Sequence, residues 1–170
     1  MKIRNADLLF VRSQHHDIDE AITASTGEYV HVAIVIDEKT VIHATSRFGV
    51  VTQTLSDFLK TFEHADVYRP TIENLAGVVT RAQQANQRPY NFSFYPDDPG
   101  FYCSQLVVMA FADVLTIEEQ PMQFGDGKQE ISDFWQDYYA KLGVAVPLNK
   151  PGTNPSQLAH LDEFQLVGVL

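Results

Sequence analysis

Two β-branched segments separated by a short charged turn constrain the fold of this chain more than any other feature. Val30–Ile36 and Thr40–Ala44 flank the charged residues 37–39, and such a pair is typical of a β-hairpin. The first segment contains His31 and the second contains His43. With the turn centred near residues 37 and 38, we expect the two side chains to lie across from each other on one face of the hairpin.

The rest of the chain alternates further strands and helices in one α+β domain, residues 1–170. Leu55–Phe62 has apolar residues at i, i+3, i+4 and i+7, a pattern that predicts an amphipathic helix. Strands grouped early, helices on either side and a final strand predict an antiparallel sheet packed against helices. The other predicted strands are Asp7–Val11, Val50–Thr54, Ala65–Tyr68 and Phe164–Val169, and the other predicted helices are Asp17–Ser25, Ile72–Asn86, Tyr102–Val114, Ile131–Leu142 and Ser156–His160.

Composition excludes several classes of function. The net charge is −10 and no run of Lys or Arg occurs, so we expect no nucleic-acid partner. No stretch approaches the ~18 apolar residues of a membrane span. Met1–Arg12 lacks the apolar core and the cleavage site of a signal peptide, so the expected location is the cytoplasm.

Cys103 is the only cysteine, which excludes an internal disulfide and zinc sites built on several thiolates. It follows the loop 99–101 and stands at the start of the Tyr102–Val114 helix. Unpaired N–H groups and the helix dipole favour a thiolate there and can hold an oxyanion. The alternative is a buried, inert thiol, because free cysteine often behaves as a small apolar residue.

Histidines supply this thiol with candidate partners. His31 and His43 are either core histidines with satisfied hydrogen bonds or the base and the orienting group of a nucleophilic cysteine. A metal site would need both to converge with a carboxylate, and helical HxxxH spacing is missing, so we expect no metal. The adjacent pair His15-His16 is interpreted as a polar loop, and Asp97-Asp98, between two prolines, as turn formers.

A long loop at Arg88–Gly100 carries four aromatic residues: Tyr90, Phe92, Phe94 and Tyr95. It either lines a cleft or packs against the core helix. In a cleft, these rings would suit an apolar ligand or one that stacks as a sugar does.

These motifs, in this order, resemble a known family. Tyr29-Val30-His31-Val32-Ala33-Ile34, Val41-Ile42-His43-Ala44, Pro89-Tyr90-Asn91 and Tyr102-Cys103-Ser104-Gln105-Leu106-Val107 resemble the permuted papain-like amidases of the NlpC superfamily, the YiiX/YebB-like group related to lecithin retinol acyltransferase. The resemblance runs from Asp7 to the last strand. Members of the group place the histidine strand before the cysteine helix, as His31 precedes Cys103 here.

The resemblance implies a permuted papain-like fold with the nucleophile at a helix N-terminus. Cys103 matches the nucleophile, His31 the base and His43 the third polar residue. Tyr29 matches a tyrosine near the oxyanion site, and Tyr102 and Tyr90 are expected on the oxyanion or substrate side. No cofactor is implied.

The substrate stays open between several classes. A peptide or amino-acid amide, such as a γ-glutamyl bond in a peptidoglycan fragment, is the first expectation. The alternatives are an acyl-lipid substrate, cleaved or transferred as an ester, and a binding protein without turnover. Val30, Ala33 and Gln105 depart from the family's common residues and leave the subfamily open.

Overall fold

The computed structural model describes residues 1–170 and contains a six-stranded antiparallel sheet. Strand order across this sheet is β4-β3-β2-β1-β5-β8, and two very short strands form a separate pair, β6-β7. The strands are β1 (Leu8–Arg12), β2 (Tyr29–Asp37), β3 (Thr40–Thr45), β4 (Gly49–Thr54), β5 (Asp66–Pro70), β6 (Gln120–Pro121), β7 (Pro151–Gly152) and β8 (Phe164–Val169).

Six helices accompany the sheet: α1 (Asp17–Thr26), α2 (Leu55–Phe62), α3 (Ala76–Gln84), α4 (Cys103–Phe111), α5 (Asp133–Leu142) and α6 (Pro155–Ala159). The predicted strands and helices are confirmed, with shorter ends for several helices. The helix predicted from Ile72 begins only at Ala76, because Asn74 adopts a left-handed backbone with φ 63° that a right-handed helix cannot contain. None of the six is long and apolar enough to cross a bilayer.

Both faces of the sheet are buried, so its strands carry apolar residues at successive positions. On one face, Phe10, Val32 and Ile34 pack in the larger core with Leu106 and Val107 of α4. On the opposite face, the neighbouring strand residues pack around α2 in a second core of Ile3, Leu9, Val11, Ala33, Val35, Val41, Phe58, Ala65 and Val67. The sheet therefore separates the cysteine helix α4 from α2.

Helix α2 forms because its sequence encodes both its cap and its buried face. The Thr54 hydroxyl accepts a hydrogen bond from the backbone N–H of Asp57 at 3.1 Å, an N-cap of the usual kind. Phe58 is fully buried against the sheet, and Phe62 lies one turn further along the same face. These two rings pack against the histidines of the sheet.

The loop before α4 is held by close backbone contacts. Phe101 N–H donates to the carbonyl of Pro89 at 3.0 Å, and the side chain of Asn91 donates to Gln105 Oε1 of α4 at 3.2 Å. Gly100 has φ 91°, and a Cβ there would lie 2.1 Å from the Pro89 carbonyl oxygen, so only glycine fits. These contacts fix the first turn of α4, where Cys103 lies.

Candidate active site

The ladder between the two histidine strands ends early. β2 and β3 pair only as far as Ile34 and Ile42, whereas β2 stays paired with β1 as far as Tyr29. Because Val35 N–H donates to Asp7 beside β1, alternate N–H groups, including that of Val32, point toward β3. Beyond Ile34 these groups have no strand partner. The sheet therefore has an opening between β2 and β3 next to His31.

His31 and His43 lie on the same face, as predicted, but not directly across from each other. Continuing the observed register past Ile34–Ile42 puts His43 opposite Ala33, which leaves His31 as its diagonal neighbour. The prediction of a directly opposed pair was wrong because the pairs Ile34–Ile42 and Val35–Val41 centre the hairpin on residue 38, whereas direct opposition of His31 and His43 requires a centre at residue 37. The rings still meet, with His31 Nε2 2.8 Å from His43 Nδ1.

Both imidazoles lie on the α2 side of the sheet, where His43 is buried and His31 is partly buried. The His31 ring stacks on Phe62 with centroids 5.1 Å apart, and the His43 ring meets Phe58 edge-on at 5.2 Å. Burial lowers the pKa of His31 well below its usual value, with a smaller contribution from His43. Burial likewise lowers the pKa of His43, to about 4, although the hydrogen bond that His43 makes to Gln53 Oε1 opposes this shift. Both rings are therefore neutral at pH 7.

Gln53 is a partner that the sequence analysis missed. Its Oε1 lies 2.9 Å from His43 Nε2, so three side chains form one hydrogen-bonded row from β4 through β3 to β2. The alternation of side chains along the predicted strand Val50–Thr54 could have indicated it. Val41 pairs with Gln53, and both side chains face α2, as His43 does. Nothing in the residue type alone singles Gln53 out.

Cys103 begins α4 on the opposite face of the sheet and approaches the opening from there. The N–H of Val32 faces its sulfur, as do the N–H groups of Cys103 itself and of Ser104. The last two belong to the first turn of α4 and have no backbone acceptor, as expected at a helix N-terminus. Three backbone donors therefore converge on the thiol.

The expectation of a thiolate favoured by the helix start was wrong. The Cys103 side chain is buried, and this desolvation raises the pKa of the thiol to about 11 even though the three N–H groups act in the opposite direction. Removing a charge from water costs more here than these uncharged donors return. The resting thiol is therefore protonated beside a neutral His31.

The sulfur and His31 approach each other through the backbone. Val32 N–H belongs to the peptide bond that joins His31 to Val32, so a sulfur facing this N–H lies next to the His31 backbone. His31 Nε2 is occupied by His43, and Nδ1, the nitrogen nearer the backbone, has no hydrogen-bond partner in the structure. No hydrogen bond joins Cys103 to His31.

Tyr29 does not lie where the resemblance suggested. Its hydroxyl donates to Asp66 at 2.5 Å and lies 3.2 Å from the Tyr68 hydroxyl, and it also accepts from Arg12. Burial and the Asp66 hydrogen bond raise the pKa of Tyr29 far above its usual value. Since this hydroxyl is committed to Asp66 and does not line the cavity beside Cys103, it does not serve as an oxyanion donor in this structure.

Tyr102 and Tyr90 do lie beside Cys103. Both line a cavity of about 280 Å³ that Cys103 also lines. The Tyr102 hydroxyl accepts a hydrogen bond from Thr153 N–H at 3.3 Å. The Tyr90 hydroxyl makes no hydrogen bond in the structure, and its pKa is raised mainly by burial and next by the nearby Cys103. The expectation that the 88–100 loop lines a cleft therefore agrees with the positions of Tyr90 and Phe94.

No charged side chain lines this cavity. Its walls also include residues that the sequence analysis did not single out, because they come from distant segments that only the fold brings together. They are Ile18, Ile22, Ser25 and Thr26 of α1, Val30, Ser104, Gln120, Pro121, Met122, Gln123, Phe124, Trp135, Gly152, Thr153, Asn154, Pro155 and Gln157.

Comparisons with known proteins agree with this architecture. The metalloprotein yiiX from Escherichia coli O157:H7 has a similar fold, with a TM-score of 0.80 and 21% sequence identity over 99% of this chain and 98% of that chain. No curated protein matches the chain significantly. Residues 2–168 match the family model for the permuted papain-like amidase enzymes YaeF/YiiX, C92 family. The chain therefore belongs to the permuted papain-like amidases of the C92 family, a family of cysteine hydrolases.

Proposed function

We propose that this chain cleaves an amide whose acyl part is uncharged, with Cys103 as nucleophile, His31 as base and His43 as the group that orients His31. The observation that carries the proposal is the position of the Cys103 thiol. Its sulfur faces Val32 N–H at the opening between β2 and β3 and therefore lies next to the backbone of His31, whose Nδ1 has no hydrogen-bond partner.

The first step is transfer of the thiol proton to His31 Nδ1 as Sγ attacks the substrate carbonyl. Because the resting groups are neutral, attack and proton transfer occur together, as general base catalysis allows. The carbonyl oxygen becomes an oxyanion, and we expect the N–H groups of Cys103 and Ser104, which have no backbone acceptor, to hold it.

Collapse of this intermediate breaks the carbon–nitrogen bond. Protonated His31 gives its proton to the leaving amine, which leaves a thioester on Cys103. Water then attacks the thioester, with His31 again taking the proton, and the acid is released as the thiol reforms. His43 supports His31 throughout by a hydrogen bond to Nε2, the orienting role of the third member of a triad.

The cavity supports the choice of an uncharged acyl group. A γ-glutamyl or peptidoglycan fragment would bring free carboxylates against walls that hold no charged side chain, and an unpaired buried charge is costly. A second candidate, cleavage or transfer of an acyl-lipid ester, is favoured by the same walls. Both reactions pass through the same thioester.

A metal does not fit this site. The E. coli protein of similar fold is described as a metalloprotein. In this chain, however, His31 Nε2 and His43 Nδ1, which could serve as ligands, are bonded to each other. No group of three or more His, Cys, Asp or Glu side chains converges anywhere in the structure.

The test is hydrolysis of three matched substrates: a p-nitroanilide with a neutral apolar acyl group, a γ-glutamyl p-nitroanilide and a p-nitrophenyl acyl ester. We expect turnover of the neutral anilide to exceed that of the γ-glutamyl anilide, and we expect Cys103→Ala and His31→Ala each to lose about 10⁴-fold or more in kcat.

The matched control is His15→Ala, because the His15 side chain is 89% exposed. The proposal fails if Cys103→Ala keeps wild-type activity. Preference for the ester favours the second candidate, and a folded wild type that turns over none of the three favours a binding protein.

A further inference from the structure

Three side chains form a row of hydrogen bonds that ends at a partly buried amide. Gln53 Oε1 lies 2.9 Å from His43 Nε2, and His43 Nδ1 lies 2.8 Å from His31 Nε2. Neither imidazole makes any other hydrogen bond, and Phe58 and Phe62 cover the rings. The positions of the protons in this row are therefore decided within it.

Once the amide oxygen of Gln53 faces His43, the hydrogen bonds of the row can run in only one donor-to-acceptor direction. An amide oxygen accepts and cannot donate, and a neutral imidazole has a single N–H. His43 must then carry its proton on Nε2 and accept at Nδ1. His31 must carry its proton on Nε2, which leaves its Nδ1 as a bare lone pair.

We propose that Gln53 is a positioning residue that fixes the tautomers of both histidines, so that His31 keeps Nδ1 free to take the Cys103 proton. The inference deepens the proposed function and rests on it for the use of that lone pair. Gln53 touches neither the thiol nor the cavity, so it acts only through His43.

The opposite orientation of the amide would reverse the row. If the Gln53 NH₂ faced His43, each ring would carry its proton on Nδ1, and His31 would present a donor to the thiol. A donor suits a resting thiolate. In the structure the oxygen of Gln53 faces the ring, and this orientation gives His31 the bare Nδ1 that a base for a protonated thiol requires.

The direct test is ¹⁵N NMR of the histidine rings in the resting wild-type protein at pH 7. We expect both His31 and His43 to be protonated on Nε2 with a bare Nδ1. A His31 protonated on Nδ1 overturns the proposal, whatever the enzyme does to substrates.

Variants test whether Gln53 is the cause. Gln53→Glu keeps an acceptor and, measured at a pH where His43 is neutral in that variant, should keep both tautomers. Gln53→Met should instead give mixed tautomers and lower kcat about tenfold, with KM little changed, which corresponds to the loss of one neutral hydrogen bond. Gln165→Met on the edge strand β8 is the matched control, because this exposed glutamine makes no side-chain hydrogen bond.

The outcomes separate this inference from the proposed function. If Gln53→Met retains wild-type tautomers and rate, or if a folded Gln53→Glu variant is as impaired as Gln53→Met, the inference is wrong. If the tautomers shift in Gln53→Met as expected while Cys103→Ala remains fully active, the inference stands and the catalytic role of Cys103 does not.

Discussion

His31 Nε2 and His43 Nδ1 lie 2.8 Å apart in the structure, and this contact joins two rings that burial keeps uncharged. Neither ring hydrogen-bonds a carboxylate, and only the hydrogen bond between His43 and Gln53 offsets part of the cost of protonating them. The pair is therefore a source of pH dependence for the whole fold as well as for the site.

We expect the free energy of unfolding to fall as the pH falls from about 6.5 to about 4. The pKa of His43 is about 4 in the folded protein, against 6.5 ordinarily, so the unfolded chain binds the extra proton across this interval and gains stability relative to the fold. The free energy of unfolding is not reduced by His43 above pH 6.5. Below pH 4 it is reduced by about 3 kcal/mol, which follows from the size of the pKa shift.

Urea unfolding at a series of pH values measures this effect. His43→Gln does not titrate at this position and should make the curve less steep between pH 6.5 and 4, with the remaining slope due in part to His31. His15→Gln, at an exposed position, should leave the curve unchanged. Parallel curves for wild type and His43→Gln would show that burial of His43 does not control the acid limb.

Alkylation of Cys103 should require alkaline pH in the resting enzyme. The pKa of the thiol is raised to about 11 by burial, compared with about 8.5 for free cysteine. We expect the rate constant for iodoacetamide to rise with an apparent pKa well above 8.5 and to match a free thiol after denaturation. Because Cys103 is the only cysteine, Cys103→Ser provides the blank. Labelling with an apparent pKa below 8.5 would indicate a resting thiolate and contradict the neutral pair.

Asp7→Ala should destabilise the fold strongly. The Asp7 carboxylate is buried and accepts hydrogen bonds from Arg69 Nε at 2.9 Å and from Arg4 N–H at 2.8 Å. Removing Asp7 leaves these donors without their acceptor, but Arg69 is 22% exposed and still donates to the Lys2 carbonyl, so we expect a cost of about 1–3 kcal/mol. The comparison is Lys60→Ala, which breaks an exposed pair with Asp57 and should change the denaturation midpoint little. Equal shifts in the two variants would contradict this ranking.

Gly100→Ala should lose both stability and activity. A methyl group at this position would lie 2.1 Å from the Pro89 carbonyl oxygen and force the backbone before Cys103 to move. Gly127→Ala is the matched control, because Gly127 also has a left-handed backbone, with φ 84°, but no atom lies within 4 Å of the added carbon. We expect the control to cost about 1 kcal/mol with normal kcat. A Gly100→Ala variant with the kcat of the control would show that the contact does not position the thiol.

Most of the fold could be predicted because its elements carry local signals. The apolar spacing of Leu55–Phe62 and the β-branched residues on both sides of the turn at 37–39 are visible without tertiary information. The order of His31 before Cys103 along the chain also indicated the permuted form of the fold. The first turn of the Ile72–Asn86 prediction failed because a left-handed residue, Asn74, leaves no periodic trace.

The site could be predicted less completely, because its decisive contacts join distant segments. The place of the Tyr29 hydroxyl depends on Asp66, 37 residues away, and the cavity walls come from α1, the 88–100 loop and the segment from 120 to 157. The pKa of Cys103 is raised because the thiol is buried. The residue types near the start of a helix do not indicate how deeply a side chain will be buried.

The contact between the sulfur and Val32 N–H has a consequence for how such a site can change over time. The donor is a main-chain group covalently attached to His31, so its placement relative to that histidine does not depend on which side chain occupies position 32. Every replacement there except proline retains the N–H. The backbone itself therefore supplies one of the donors that face the nucleophile, and substitutions of the side chain at position 32 leave this donor in place.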